Sequence, residues 1–474
     1  MSERVSVGIV GGGIAGLTLG WQLARRGIST CVLEAEPRPG GNIHTEERGG
    51  WRFEWGPNAW LDNEPATQRL VADLGLGDRV APAAEAARRR WIVRGGRLRA
   101  LPASPSAFLS SDVLSAAGRA RALLEWSRPA RRDDGDESVW DFARRRVGRE
   151  AADVLVDAMV TGVYAGDARR LSVLSTFPRL RAMEREHGGL FRAMAAARNN
   201  RGAHAGAEPG TDAARPAGGG GPFGPGGVMT SFDTGMETLV RALAGALGAR
   251  LRCDARVLRI ERRASGWQLE VERGAPLEAE RLVLACPAWH AMPLVASLDH
   301  ELAELLNGIP SAPVAVVALG WNERDLAGVE RGFGFLVPTR ERLGILGTVF
   351  ESWIFPQRAP AERALWRTMI GGARERGAID LDDGALVQRA LAAIAKLLGV
   401  RATPEMTAVV RHTRGIPQYP VGHGQRLERI EDRLSRHPGL ALAGNSYRGV
   451  AMNACIREAE AAAARWDTSS GSAP

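Results

Sequence analysis

One stretch, "RVSVGIVGGGIAGLTLGWQLARRG" (residues 4–27), leaves this chain little choice of fold. An apolar run of strand character meets a glycine turn. The turn opens into a segment of helical periodicity that ends at Gly27, and "STCVLEA" (29–35) then reads as a second buried strand. Strand, turn, helix and strand make a βαβ unit, which predicts an α/β fold with a parallel sheet. Within the turn, Gly11, Gly13 and Gly16 form G-x-G-x-x-G, with Gly12, Ile14 and Ala15 between them. The first glycine permits the tight turn, the second lets a pyrophosphate approach the backbone, and the third lets helix and strand pack closely. The helix N-terminus faces the phosphates. Glu34 closes the second strand just before Ala35. Its carboxylate can accept hydrogen bonds from a ribose diol and would repel a 2′-phosphate, so the unit reads as a dinucleotide site.

The choice between a nicotinamide and a flavin dinucleotide turns on "EPRPGGN" (36–42). Gly40 and Gly41, followed by Asn42, bring a second backbone close to the same ligand, an arrangement suited to tightly held FAD. A surface turn after Pro39 is the plainer alternative. "EWGPNAW" (54–60) adds the bend Gly56–Pro57, then Asn58 and Ala59; the Asn58 amide could face a flavin edge or a substrate. Near the end, "AGNSYRGVAMNAC" (443–455) places a strand before a glycine-containing bend and a helix whose N-terminus could hold negative charge.

Other chemistries find little footing. The eight histidines are isolated, and His187, His204 and His423 read as surface or loop residues. No metal site and no Ser-His-Asp pattern emerge. Cys31, Cys253, Cys286 and Cys455 are far apart and read as reduced, mostly buried thiols. The formal net charge of +8 comes almost wholly from arginine, Lys396 being the only lysine. These arginines are scattered, so no nucleic-acid face is expected. Neither a membrane span nor a signal peptide is apparent, which points to a cytoplasmic protein. Residues 110–200 look helical, 201–227 form a low-complexity loop, 310–375 are rich in strand patterns, and the end returns to the α/β style of the beginning. One domain is therefore expected to be assembled from separated segments.

The segments "GGGIAGLTLGWQLARRG", "GPNAWLD", "TGVYAGDARRLSVLSTFP", "GFGFLVP", "GIPQYPVGH" and "GNSYRGVAMNACI" together resemble the oxygen-dependent protoporphyrinogen oxidases of the flavin amine-oxidase superfamily. The resemblance implies a mixed α/β (α+β) architecture: a discontinuous Rossmann-like FAD-binding domain (1–85, 228–305, 409–466), a sheet-containing substrate domain (86–100, 306–408) and a helical membrane-associating insertion (101–200). From composition, a flexible loop (201–227) and a disordered tail (467–474) are expected to complete the chain.

It further implies non-covalent FAD, a porphyrinogen and O2 as substrates, hydrogen peroxide as product, and peripheral contact with the cytoplasmic face of the inner membrane. It admits a homodimer. By the same resemblance Phe333, Leu336, Val349, Met369 and Gly162 surround the macrocycle, and Arg90 pairs with a propionate, although Arg88 and Arg89 leave the register open by a residue. Asn58 would position the reacting groups. Val257, His412, Val450, Ala451 and Met452 would join the FAD contacts, His412 standing where the family often has tryptophan. Coproporphyrinogen III as substrate, another oxidase of the superfamily and a non-catalytic carrier are the alternatives.

Overall fold

A computed structural model describes residues 3–102, 104–196 and 226–465. Of the low-complexity segment 201–227 only the last two residues fall within this range, and the tail 467–474 lies outside it.

The expected βαβ unit forms. Strand Glu3–Val10, helix Ile14–Arg25 and strand Thr30–Leu33 follow one another, and the second strand is buried along its whole length. Such burial on both faces marks a strand inside a parallel sheet covered by helices. Leu251–Arg252, Thr30–Leu33, Glu3–Val10, Leu277–Leu284 and Leu440–Leu442 lie side by side and all parallel. The first half of Leu277–Leu284 also pairs antiparallel with Gly266–Val271, which turns back into Val257–Arg263. One side of this sheet packs Leu17, Leu19 and Trp21 against Leu239 and Leu243 of helix Glu237–Leu247 and Ile456 of helix Met452–Ala464. The other side buries Leu33, Leu282 and Leu284 under Trp267 and the helices Ala288–Val295 and His300–Asn307.

A second, seven-stranded sheet runs in the order Met406–Pro417, Ser311–Asn322, Arg363–Gly371, Gly347–Val349, Gly334–Leu336, Arg90–Arg94, Arg97–Ala100. Strand Met406–Pro417 crosses the boundary drawn at 408/409 from sequence. Side chains alternate between the faces of a strand. One face holds Trp91, Phe335, Val317, Leu319 and Trp366, which form a core with Leu386, Ala390 and Ile394 of helix Asp383–Leu398. The opposite face lines the site.

Between 105 and 187 helices predominate, broken by coil at 128–137 and 165–170. Helix Val139–Val147 presents Val139, Phe142 and Ala143 to a cluster with Val154, Val160, Tyr164 and Tyr419. Residues 149–164 run as one helix interrupted by a π turn at Ala152–Val156, and it ends at Ala165, held at φ 46°. Glu125 and Arg146 pair at zero exposure, and Glu125 also accepts the Leu190 and Phe191 amides at 2.8 and 3.1 Å.

Candidate active site

The glycine turn sits at the carboxyl end of the first sheet, where ligands of open α/β folds bind. Each glycine meets a different constraint. Gly11 has φ +110°, and a Cβ there would lie 2.8 Å from the Cys286 amide nitrogen; at Gly16 it would lie 2.0 Å from the Gly11 carbonyl oxygen. At Gly13 it would meet nothing within 4 Å. The second glycine turn closes on the first: Gly13 and Gly40 form a bridge, and the Gly40 amide donates to Gly12 O at 2.7 Å. A Cβ on Gly41 would touch only Gly13 Cα, at 3.6 Å. The Glu34 carboxylate accepts the Gly12 amide at 2.7 Å and the Glu36 amide at 2.9 Å. Helix Ile14–Arg25, carrying Ala15, begins without a side-chain cap, as does Met452–Ala464 after Val450 and Ala451. Both N-termini therefore keep backbone donors available for an anion. Gly444 stands beside the first of them, its Cβ position 3.5 Å from Ala285 O and 4.0 Å from the Ala15 side chain. Val257 opens the hairpin strand, buried.

These residues fit a dinucleotide. The space over Gly13 and Gly41 is free, the surrounding donors are backbone amides, and an acid stands at the strand end. The bend Gly56–Pro57–Asn58–Ala59 adds a further sign, because Asn58 Nδ2 is buried with no hydrogen-bond partner. Asn42 braces this bend, its carbonyl oxygen only 2.3 Å from where a Gly56 Cβ would stand.

Cross-strand register gathers the other expected residues on one face of the second sheet, since directly paired residues project to the same side. Arg90, Gly334, Val349 and Arg367 form one row. Ile92, Leu336, Gly347, Met369, Val316 and Val410 form the next. Gly371, Val314 and His412 form a third. Phe333, just before its strand, packs against the cluster of Ala87, Ile354 and Phe355, as do Val349 and Ala59. Gly162 approaches the same wall: a Cβ there would lie 2.8 Å from Leu336 Cδ2.

The three neighbouring arginines now separate. Arg88 and Arg89 are exposed and pair with Glu85 at 3.5 Å and Glu330 at 2.9 Å. Arg90 is half-buried, its guanidinium 4.9 Å from the Phe333 ring centroid and its Nε without a partner. Burial lowers its pKa, but a guanidinium stays protonated at neutral pH.

Sequence reasoning missed a buried ionic network beneath the Asn58 bend. Arg358 and Glu54 pair at 2.5 Å and zero exposure; Arg367 pairs with Glu351, which is equally buried. Glu54 also accepts the Thr45 hydroxyl at 2.8 Å and the Met236 amide at 2.9 Å. Burial raises the Glu54 pKa and the Glu351 charge adds to it, against the opposing pull of Arg358. A glutamate inside the apolar run "WRFEW" and an arginine two residues before Met369 were the signals available. His423, expected at the surface, is 1% exposed and stacks on Tyr419 with ring centroids 4.3 Å apart. All four cysteines are free; Cys31 and Cys455 are buried, while Cys253 and Cys286 are partly exposed.

Residues 14–465 match the family model of flavin containing amine oxidoreductase. The chain is 34% identical to protoporphyrinogen oxidase of Homo sapiens, over 97% of each chain. It is 29% identical to coproporphyrinogen III oxidase of Bacillus subtilis (strain 168), over 96% of each. A solved structure from Exiguobacterium sp. 255-15 superposes with a TM-score of 0.82 at 24% identity, covering 99% of this chain and 100% of that one. Cyclohexylamine oxidase from Brevibacterium oxydans shares the fold, with a TM-score of 0.69 at 19% identity over 98% of each chain. With its glycine cradle intact and its sequence matched nearly end to end, the chain belongs to the flavin-containing amine oxidoreductases, as a member of the protoporphyrinogen oxidase family with FAD as cofactor.

Proposed function

We propose that the protein oxidises protoporphyrinogen IX to protoporphyrin IX, consuming three O2 and releasing three H2O2 for each macrocycle. The observation that carries this reading is the composition of one sheet face: apolar Leu336, Val349 and Met369, the ring of Phe333 beside them, and one half-buried arginine without a carboxylate partner. A flat apolar macrocycle needs such walls, and a carboxylate at its edge needs such a cation. Bound FAD supplies two-electron redox chemistry, so removal of six electrons takes three turnovers. The chain's own residues bind and orient. Arg90 holds a propionate, Phe333 and Leu336 flank the ring system, Gly162 gives Leu336 room to sit beside it, and Asn58 offers its unpaired amide at the reacting edge. Residues 1–85, 228–305 and 409–466 would carry the cofactor, and 86–100 with 306–408 the substrate.

Coproporphyrinogen III is the second reading, favoured by the Bacillus subtilis relative. Its four carboxylates would need more cations. In the rows that hold Arg90 and Arg367, Arg367 is already neutralised by Glu351, which leaves Arg90. The test is anaerobic mixing of FAD-loaded protein with each porphyrinogen while following flavin bleaching. Faster bleaching by protoporphyrinogen is expected. Bleaching by neither overturns the activity, and a faster reaction with coproporphyrinogen reverses the substrate order.

The same reading places the protein at a membrane surface, because its substrate is apolar and Leu109, Leu123, Leu124 and Trp126 of the helical region stand 46–55% exposed. Among the described residues no helix is long and apolar enough to cross a membrane.

A further inference from the structure

Three consecutive backbone carbonyls, those of Glu54, Trp55 and Gly56, are captured by side chains from the facing sheet. Arg367 Nη1 donates to Glu54 O at 2.7 Å and to Gly56 O at 3.1 Å. His412 Nε2 lies 2.8 Å from Trp55 O. A carbonyl oxygen only accepts, so Nε2 carries the proton and Nδ1 is the acceptor of the neutral ring. Burial, ahead of the charges of Arg38 and Arg367, lowers the His412 pKa and keeps that ring neutral near pH 7. The two donors come from different strands and different rows of one sheet face.

We propose that Arg367 and His412 are positioning residues that hold the 54–56 backbone from one side and thereby fix the Asn58 carboxamide, two residues further on, where cofactor and substrate meet. The inference rests on the proposed function for the identity of that substrate. Pro57 lies between the clamp and Asn58; its ring fixes φ and removes one amide, so few torsions separate the held carbonyls from the unpaired Asn58 Nδ2. Besides these side chains, the Trp55 amide donates to His44 O at 2.9 Å and the Asn42 carbonyl packs against Gly56. A buried guanidinium is also an expensive way to fill a sheet face. Arg367 is 4% exposed and needs Glu351 at its Nε, while the next row fills the equivalent place with Met369. Holding a geometry accounts for that charge; filling volume does not.

The test compares His412→Phe, which keeps a ring and removes the donor, with His412→Gln, which restores one. Arg367→Met leaves Glu351 buried without its counter-charge and risks the fold, so Arg367→Met/Glu351→Gln is made instead. Hydrogen exchange of a peptide spanning residues 52–60 is measured with and without FAD, beside flavin content, kcat and KM. The double variant should bind FAD stoichiometrically; because His412 is itself an expected FAD contact, turnover of its variants is counted per bound FAD. Exchange in that peptide should accelerate about tenfold, with the strand Glu3–Val10 unchanged. kcat should fall about tenfold to a hundredfold, with little change in KM, and His412→Gln should recover both exchange and kcat. Unchanged exchange, parental kcat despite faster exchange, or failure of His412→Gln to rescue would each overturn the proposal. If the parent oxidises neither porphyrinogen, the substrate reading falls, and the exchange measurement still decides whether the clamp holds the bend.

Discussion

Gly13 and Gly16 lie three residues apart in one turn, yet a methyl group added to each meets opposite surroundings. Gly13 has an ordinary extended backbone, φ −71° and ψ 175°, and open space in front of it. Gly13→Ala should therefore fold like the parent and lose flavin. Gly16→Ala drives a Cβ onto the Gly11 carbonyl, and overpacking against backbone costs about 1–3 kcal/mol. The check is to melt both variants after removal of FAD. Gly13→Ala should melt with the flavin-free parent and Gly16→Ala several degrees lower; equal melting would refute the distinction. At the substrate end, Arg90→Ala should raise KM at least tenfold, because losing one partner of a partly buried charge pair costs about 2–5 kcal/mol, while flavin content stays at the parent level. An unchanged KM would remove Arg90 from the propionate.

At the scale of elements, the sequence was most informative where the pattern is local. The βαβ unit and its glycines lie within about thirty residues, each position answering to its immediate neighbours. The buried network was not legible, because Arg367 meets carbonyls more than three hundred residues away and no spacing rule connects them. His423 misled for a related reason. It opens helix His423–Ser435 behind Gly422, which is held at φ +88° and gives no side-chain cap, so the stretch reads as a turn.

Helix–helix contacts supply a pH prediction. Asp299 caps His300–Asn307 and reaches His437 at 2.9 Å and Arg433 at 2.8 Å, with its side chain 1% exposed. Against burial, which would raise it, the Leu302 amide, His437 and Arg433 hold its pKa at about 2, down from 3.8. A depressed carboxyl stabilises the fold above its unfolded value and stops doing so as pH falls through the folded one. Asp299→Asn should therefore cost about 2 kcal/mol near pH 6, and the gap from the parent should close between pH 3.8 and about 2. Denaturant unfolding at several pH values measures this; a pH-independent gap would assign the effect to packing. The exposed Leu123, Leu124 and Trp126 form a second element-scale case. The protein should sediment with anionic vesicles, and serine at these three positions should weaken binding at least tenfold, since each large apolar side chain gains about 1.5–3 kcal/mol on burial. Turnover of detergent-dispersed substrate should not change.

At the scale of the whole molecule, the return of α/β patterning near the end told of segments meeting, but not of their order. The first sheet places 251–252 beside 30–33, then 3–10, 277–284 and 440–442. Gly444, whose Cβ position lies 4.0 Å from the Ala15 side chain, stands two residues after the last of these strands. A ribosome making this chain has emitted the glycine turn more than four hundred residues before it emits the strand that completes the sheet. Throughout that interval the strand Leu277–Leu284 keeps open the backbone groups that Leu440–Leu442 will take, and the helix start at Met452 is not yet there to face the glycine turn. Cofactor capture should thus wait until the strand Leu440–Leu442 and the turn after it have been made. A nascent chain stalled at residue 430 should leave FAD in solution, and one extended past residue 465 should trap it.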